Sequence, residues 1–426
     1  MLFSGNGVSR VLNVSVNMLA WIIVLTSSGR AENSITREEA VNLVLEQNPE
    51  VQAARQEWEI YNSLRTQAWA PPELEFELEY EELPKVTSID KFGNRYAGFS
   101  QTVEFPLEWW YRGRAFGKQA ESVKYAVYEM TRLDLVARVK IAFDRVLYRE
   151  QVLTYAERNL ELARDFYEKT QIRFDAGEIA QLEVLRASVE EGRAENEVTV
   201  ARNEISVARA GLNTLLARNA ESPIQVEGEF AYRPLELKLD ALRDLAIDLR
   251  PDLHGARLSV SATRLNRSRA ISSLVPSFNI GISRQTINGL SARENFSRLT
   301  LALEVPAWAF WRQRGEINQA NAELDRSIAI QNSVQYGVRF EVESTYLDLK
   351  AAEEQVGLFQ DRVLPEAEKA YEVATSSYDQ GKSTYLEVLE AQRVLNSTRI
   401  DYAESVFNYR TALSNLERAV GMDLNQ

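Results

Sequence analysis

Hydrophobic and polar residues alternate with two different periods along the chain, and the change of period divides it into helical and extended segments. In the long segments, apolar residues recur every three or four positions, which is the period of an amphipathic helix. In four short segments, apolar and polar residues alternate strictly, which is the period of a strand with two unlike faces. The pattern therefore predicts a mainly α-helical chain that also contains four strands.

The four predicted strands form two pairs, one within residues 73–105 and one within residues 276–305. Four strands of roughly ten residues cannot close a barrel by themselves, and an open sheet would expose an apolar face and unpaired edges. Strands of this length can cross a bilayer when they are tilted. We therefore expect several copies of the chain to complete one transmembrane sheet, with apolar residues outward and polar residues such as Glu75 and Glu77 inward.

The longest helical segment runs from about Arg112 to Gly177, and it contains no Gly or Pro after Gly117. About 65 residues at 1.5 Å each give a rod of roughly 100 Å, which requires a partner in a bundle. The two shorter helices of the same unit together match this length, so we expect them to stack end to end beside the rod. The second long helix contains Pro365, which predicts a bend or break near Leu364.

One unit, consisting of a helix, a strand pair, a long helix, a tip and a returning helix, occurs twice. We expect the first repeat over residues 32–225 and the second over residues 226–426. The tip motifs lie at residues 173–187 and 377–391, where Asp-x-Gly precedes Leu-Glu-Val-Leu-x-Ala. One such motif would be an ordinary turn between helices, but two in register predict the tips of two matched helical hairpins.

Aromatic residues cluster at matching places just after each strand pair. A doubled cluster of this kind suits an aromatic belt at a membrane–water interface. Aromatic residues buried at the junction of sheet and helices are the alternative. The tryptophans of the two clusters are Trp109, Trp110, Trp308 and Trp311.

Residues 1–31 have the pattern of a secretory signal peptide, with Arg10 before an apolar stretch and small residues before a cleavage site after Ala31. A membrane anchor is the alternative, but the apolar stretch is short and interrupted by polar residues. No later segment approaches about 18 uninterrupted apolar residues, so we expect no transmembrane helix.

Composition excludes several kinds of chemistry. The net charge of −13 at pH 7 argues against a nucleic-acid partner, and the lack of cysteine excludes disulfides and thiolate metal sites. His254, the single histidine, lies in a helical segment, where a structural role is the more common one. We find no phosphate-binding loop, nucleophile elbow or metal-spaced cluster, so we expect neither an enzyme nor a cofactor or metal site.

The order of helices, strand pairs and tips resembles the TolC-type outer-membrane efflux protein family across essentially the whole mature chain. The helix that begins at Asn48-Pro49 and the acidic first strand look most like the branch that serves heavy-metal resistance–nodulation–division pumps. The resemblance implies a homotrimer in the outer membrane of a Gram-negative bacterium. Three chains would share a twelve-stranded barrel in the lipid and a trimeric α-barrel tunnel through the periplasm.

The resemblance also implies roles for the tips. Gly177 and Gly381 would dock a periplasmic adaptor protein, which in turn binds an inner-membrane transporter. Glu387 and Glu390 occupy the positions of the acidic rings that constrict the closed end of the tunnel, and a solvated tip surface is the alternative. The family also has an arginine two residues after the second tip glycine, where this chain has Ser383. The residues expected to close the tips are Tyr378, Glu183, Asp175 and Asp379.

The function implied by this resemblance is a passive conduit of a tripartite efflux system, carrying metal cations or small toxic compounds. Alternatives are the outer-membrane component of type I protein secretion and a soluble periplasmic coiled-coil binding protein. The soluble alternative explains the hairpins but not two strand pairs with aromatic ends.

Overall fold

A computed structural model of the chain describes residues 34–288, 292–305 and 311–424. The predicted signal peptide and Trp308 therefore lie outside the described residues, as do the side chains of Glu304 and Asp379.

The described part of the first repeat contains five α-helices, and side chains in the sequence explain where the first two begin. Thr36 and Glu39 form a reciprocal capping box at the start of α1. The Asn48 side chain accepts a hydrogen bond of 2.7 Å from the Glu50 amide and so caps α2, whose first residue is proline. The helices are α1 (Arg37–Gln47), α2 (Pro49–Ala68), α3 (Pro106–Val123), α4 (Met130–Asp175) and α5 (Gln181–Leu215).

The first long rod begins earlier than predicted. Pro106 occupies the first turn of α3, ahead of the expected start near Arg112, and its missing N–H costs no hydrogen bond there. A π-helical turn, Lys124–Glu129, joins α3 to α4 without interrupting the rod.

The second repeat has the same order of helices, with a π-helical turn at the predicted bend. This turn, Phe359–Val363, directly precedes Pro365 in the first turn of the next helix. Because proline cannot donate to the carbonyl four residues earlier, the local hydrogen-bond pattern changes and the rod continues without a break. The helices are α6 (Leu239–Leu249), α7 (Pro251–Ser272), α8 (Arg312–Leu358), α9 (Leu364–Asp379) and α10 (Tyr385–Val420).

Within the residues that the structure describes, six strands form two separate sheets. The larger sheet has the order β2-β3-β5-β6, and all its neighbours are antiparallel. The smaller sheet is a parallel pair of three-residue strands, β1 and β4, which the sequence pattern did not indicate. The strands are β1 (Ser34–Thr36), β2 (Glu75–Glu81), β3 (Asn94–Val103), β4 (Gln225–Glu227), β5 (Ser277–Asn288) and β6 (Arg293–Glu304).

The shorter helices pack along the long rods. In the first repeat, α2 packs on α3, and both α1 and α5 pack on α4. In the second repeat, α6 and α7 pack on α8, and α10 packs on both α8 and α9. Helix α10 also packs on α4, and this contact joins the two hairpins. The four helices therefore lie side by side in the order α5, α4, α10 and α8.

The apolar core lies where these helices meet, midway between the sheet and the tips. One buried cluster joins α4 to α1 and α5, and it includes Leu135, Phe143 and Leu212. Another joins α8 to α6 and α10, and it includes Val342 and Leu416. None of the helices in the described ranges is long and apolar enough to span a lipid bilayer.

Candidate functional site at the hairpin tips and the open sheet

The two tips have the same backbone geometry. Gly177 has a φ of +77° and Gly381 a φ of +69°, both in the left-handed region. In the first tip, the residue after the glycine donates its amide to the Arg173 carbonyl at 2.9 Å, and in the second the equivalent amide donates to the Ser377 carbonyl at 2.8 Å. These bonds satisfy carbonyls at the helix end and fix the reversal of the chain.

Both predicted gate residues lie on the exposed surface of the first turns of α10. The Glu387 carboxylate accepts a hydrogen bond of 3.2 Å from the Thr384 amide, and Thr384 caps the helix in return. Glu387 therefore has a local capping role that the sequence analysis missed, although the Thr-x-x-Glu spacing carries that signal. Glu390 follows on the same helix. The hydrogen bond with Glu190 raises the pKa of the Arg393 guanidinium, and the nearby charge of Glu390 raises it further.

Tyr378 of the second tip is joined to the first tip through Arg173. Its hydroxyl accepts a hydrogen bond of 2.6 Å from the Arg173 guanidinium, whose central carbon lies 5.3 Å from the centre of the tyrosine ring. Arg173 also binds Glu178 within its own tip. Among the described contacts, Glu183 forms no hydrogen bond with Tyr378. Asp175 accepts a hydrogen bond from Gln171 one turn earlier in α4.

A second set of contacts, which the sequence analysis did not identify, joins the two hairpins near the tips. Arg393 of α10 binds Glu190 of α5 through two nitrogens, with an Nε–O distance of 3.1 Å. Between these charges and the tip, the rings of Phe166 and Tyr385 stack with centres 4.2 Å apart. Burial raises the pKa of Tyr385 to about 12, so its hydroxyl stays neutral at physiological pH.

The larger sheet has one apolar and one polar face, and both are open to solvent in the single chain. Residues directly opposite each other share a face, and one row across the four strands is Phe76, Phe99, Ile282 and Leu299. Leu301, in the next row, is 71% exposed. The other face carries Glu75, Glu77 and Glu79 of β2. Strands β2 and β6 each have an edge without a partner strand among the described residues.

The predicted aromatic belt divides into a packed and an exposed part. Trp109 packs edge-on against Trp69, with ring centres 4.9 Å apart. Trp110 and Trp311 are exposed, and the Arg114 guanidinium lies over the Trp110 ring at 5.1 Å. These residues lie at the helical end of the sheet, beside the points where the strands meet α3 and α8.

A buried charge network holds the C-terminal half of α10 against α4. The Asp144 carboxylate is fully buried and accepts bonds from Arg37 at 3.0 Å and Arg410 at 2.7 Å. One turn earlier, Lys140 binds Glu417 at 2.7 Å, and both side chains are less than 10% exposed. Burial raises the pKa of Glu417, although the pairing with Lys140 opposes this shift.

The described residues contain no group of three or more His, Asp or Glu side chains that could hold a metal ion. His254 packs edge-on against Tyr125, with ring centres 4.2 Å apart.

The two repeats of the chain correspond to two matches to one known family. The family described as outer membrane efflux protein matches this chain over residues 40–218 and 242–422. The chain belongs to this family. As an outer membrane efflux protein, it is a channel whose structure serves as a conduit.

Two curated relatives are similar in sequence to this outer membrane efflux protein over most of its length. The cobalt-zinc-cadmium resistance protein CzcC of Cupriavidus metallidurans is 25% identical over 402 residues, which cover 92% of this chain and 91% of CzcC. Nodulation protein T of Rhizobium leguminosarum bv. trifolii is 24% identical over 347 residues, which cover 78% of this chain and 73% of that protein.

Solved structures confirm the TolC-like fold of this outer membrane efflux protein. The channel CusC superposes with a TM-score of 0.76 at 17% identity and covers 91% of this chain and 92% of its own. VceC of Vibrio cholerae superposes with a TM-score of 0.73 at 16% identity and covers 91% of this chain and 96% of its own. At these identities, the likeness supports the fold alone.

Proposed function

We propose that three copies of this chain form a channel through the outer membrane and the periplasm. The single observation that carries this proposal is the open sheet, with its exposed apolar face and two unpaired edges. Strands β2 and β6 run antiparallel to each other within the sheet, so the β6 edge of one copy can accept the β2 edge of the next. Three copies give the twelve strands of a closed barrel, which removes every edge and turns the apolar face to lipid.

The outer helices of the protomer support the same arrangement. Helix α8 exposes Phe340 by 75% and Tyr336 by 69%, one turn apart on one face. At the other end of the row of helices, α5 exposes Val189, Val200 and Val207, which are 11 and 7 residues apart and therefore share a stripe. Contact between these two faces in neighbouring copies buries both and continues the α-helices into a closed tunnel.

The tips lie at the far end of the rods from the sheet, and they are the places where we propose that a periplasmic adaptor docks. An inner-membrane transporter of the resistance–nodulation–division type would deliver the substrate through this adaptor. The cargo we propose is metal cations or small toxic compounds, and the naming of CzcC for cobalt, zinc and cadmium resistance supports the first. Export across the inner membrane would use residues 1–31 as a signal peptide.

Crosslinking of the purified protein in detergent tests the proposal. We expect the products to stop at three chains, and we expect the protein to sediment with outer membranes and conduct ions in planar bilayers. A monodisperse monomer with ordered strands would overturn the proposal, and so would recovery from the soluble periplasmic fraction.

A further inference from the structure

The outward face of the sheet changes character abruptly along the strands. From the helical end, the outward rows across β3, β5 and β6 are apolar, apart from Gln101, up to Phe99, Ile282 and Leu299. The next outward row contains Arg284, opposite Ala97 and Ser297. An apolar band therefore ends at a guanidinium on the face that meets lipid in the proposed channel.

Two further arginines lie on this face, in the next two outward rows. Arg95 of β3 is opposite Tyr80 and Thr286, and Arg293 of β6 is opposite Asn288. The three arginines thus occupy three adjacent strands at the end of the sheet that carries the connections between strands. From Val103 to Arg95 is eight residues, about 27 Å along a strand and about 20 Å in height at the usual tilt. This height places the arginines at the outer boundary of the hydrocarbon.

Two of the three arginines, Arg95 and Arg293, pack against an aromatic ring. The guanidiniums of Arg95 and Arg293 lie 5.6 Å and 5.4 Å from the centre of the Phe92 ring, which is only 7% exposed. Arg293 also donates to the Asn288 side chain at 2.9 Å. None of Arg95, Arg284 and Arg293 forms an ion pair with a described residue. Within the described residues, therefore, no carboxylate lies within ion-pair distance of these three guanidiniums.

The two ends of the sheet differ in a way that matches an asymmetric bilayer. The helical end carries the exposed Trp110 and Trp311, and the opposite end carries the three arginines. The glutamates of β2 lie on the other face, where they cannot neutralise these arginines. Arginine recognises phosphate through a planar fork of donors, and a partly desolvated guanidinium gains most from such a partner.

We propose that Arg95, Arg284 and Arg293 bind the phosphate groups of phosphorylated lipids in the outer leaflet of the membrane. The proposal rests on the proposed placement of the sheet in the outer membrane. In the assembled trimer, three such patches surround the barrel and fix its height and orientation. The patch is an interaction surface for lipid that is separate from the conduit and from the tips.

The test is titration of the purified, detergent-solubilised protein with bisphosphorylated lipid A, with binding counted by native mass spectrometry. We expect each arginine to contribute about fivefold to affinity, so that the triple variant with Arg95→Gln, Arg284→Gln and Arg293→Gln binds about 100-fold more weakly. Dephosphorylated lipid A should bind the unaltered protein as weakly as bisphosphorylated lipid A binds the triple variant.

Arg298→Gln is the matched control, because Arg298 lies on β6 but on the opposite face, where it donates to Gln285. This variant should bind lipid A like the unaltered protein. Arg284→Gln provides a second, milder variant with an expected fivefold loss, because Arg284 is exposed and its replacement should not disturb folding.

Three outcomes would overturn the lipid site. They are unchanged binding by variants that remain folded, equal binding of dephosphorylated lipid A, and displacement of the lipid by millimolar inorganic phosphate, which indicates a site for soluble anions. Crosslinking of the same samples separates this failure from failure of the channel proposal. Trimers without phosphate-dependent lipid binding would contradict only the lipid site, whereas monomers would contradict the channel.

Discussion

At the scale of single residues, one backbone angle determines each hairpin tip. Gly177 and Gly381 have positive φ values, and the space beside each α-carbon is empty to 4 Å. Crowding by neighbouring atoms is therefore not the reason that these positions require glycine. The left-handed conformation is the requirement, and it costs a residue with a β-carbon roughly 1–2 kcal/mol.

The first prediction concerns these two glycines. Gly177→Val and Gly381→Val should distort the tips and abolish export, while trimer formation and membrane insertion survive, because the tips are remote from both the sheet and the core. Gly177→Asn and Gly381→Asn are the controls, since asparagine tolerates the left-handed region. Export assays with crosslinking of the same cells provide the measurement. Normal export by both valine variants would show that tip geometry is not needed for docking.

The buried pair of Lys140 and Glu417 is the second feature at this scale, and its effect depends on pH. Burial raises the pKa of Glu417 above its ordinary value of 4.5, so the folded state binds the proton more tightly than the unfolded state. This group therefore favours folding most at low pH, and its contribution falls as the pH rises through the raised pKa. At neutral pH, the ionised carboxylate depends on Lys140.

Lys140→Met should accordingly lower the free energy of unfolding by about 3 kcal/mol at pH 7, because it removes one partner of a buried pair. The loss should be smaller near pH 5, where Glu417 is closer to protonation. Adding Glu417→Leu should recover most of the stability, since a well-packed apolar pair can replace a buried ion pair. Thermal unfolding of Lys140→Met, Glu417→Leu and the double variant at both pH values measures this, and purely additive losses would contradict the coupling.

At the scale of elements, the two hairpins differ although their tips match. The outer rod of the second hairpin contains the π-helical turn Phe359–Val363 above its tip, whereas α4 of the first hairpin is regular from Met130 to Asp175. Below this turn, the second hairpin is joined to the first by Arg173–Tyr378 and Arg393–Glu190. Above it, the charge network around Asp144 fixes α10 to α4. The lower part of the second hairpin is therefore held against the first by these two side-chain contacts.

The third prediction is that the contacts between hairpins keep the resting channel closed. Arg393→Gln and Tyr378→Phe should each raise the resting conductance, because each removes a bond between the second hairpin and the first. Arg202→Gln is the matched control, since Arg202 binds Glu157 across the two helices of the first hairpin alone. Single-channel recording in planar bilayers gives the comparison. If all three variants have the same resting conductance, the Arg393–Glu190 and Arg173–Tyr378 contacts do not keep the channel closed.

The fourth prediction concerns the acidic residues of the second tip. In the proposed trimer, Glu387 and Glu390 place six carboxylates around the closed end, and such rings favour cations. Glu387→Gln with Glu390→Gln should lower cation preference and weaken block by trivalent cations. Folding should persist, because glutamine also completes the capping box with Thr384.

Glu161→Gln with Glu168→Gln removes the same charge from exposed positions of α4 and is the control for this experiment. Reversal potentials in salt gradients measure the preference. If the tip variant and the control have the same selectivity and the same block, the constriction lies elsewhere and the tip glutamates are surface charges.

At the scale of the whole molecule, the single chain leaves exposed what a stable protein would bury. Three apolar or unpaired surfaces are uncovered. They are the apolar face of the sheet, its two edges, and the face of α8 that carries Tyr336 and Phe340. Large exposed apolar surfaces mark places of contact with lipid or with another protein. In the proposed assembly, lipid covers the apolar face of the sheet, and a neighbouring copy covers the exposed face of α8.

The fifth prediction tests whether the exposed face of α8 contacts a neighbouring copy of the chain. Phe340→Glu should shift the crosslinked population from trimers towards monomers, because a buried, unpaired carboxylate is strongly unfavourable at a helix interface. Val86→Glu is the control, since Val86 is 87% exposed in the loop between β2 and β3 and should lie outside the contact. Trimers as abundant in Phe340→Glu as in the control would place the interface on another face.

The sequence by itself determined which segments are helical or extended, where the strand pairs and tips lie, and which face of each strand is apolar. These features are periodic or local, so a window of a few residues contains the whole signal. The tip glycines and the capping box at Thr36 are of this kind, because both ends of each interaction lie within a few positions.

Only the tertiary structure decided which of many suitable partners meet. Arg173 and Tyr378 are 205 residues apart, and Lys140 and Glu417 are 277 apart, in helices that carry many other charges. Periodicity identifies the face of a helix but not the neighbour that covers it or the relative height of the two helices. The three-residue strands β1 and β4 were missed for a related reason, because they are too short to show an alternation. Their pairing depends on the packing of α1 and the chain after α5, which brings two distant segments side by side.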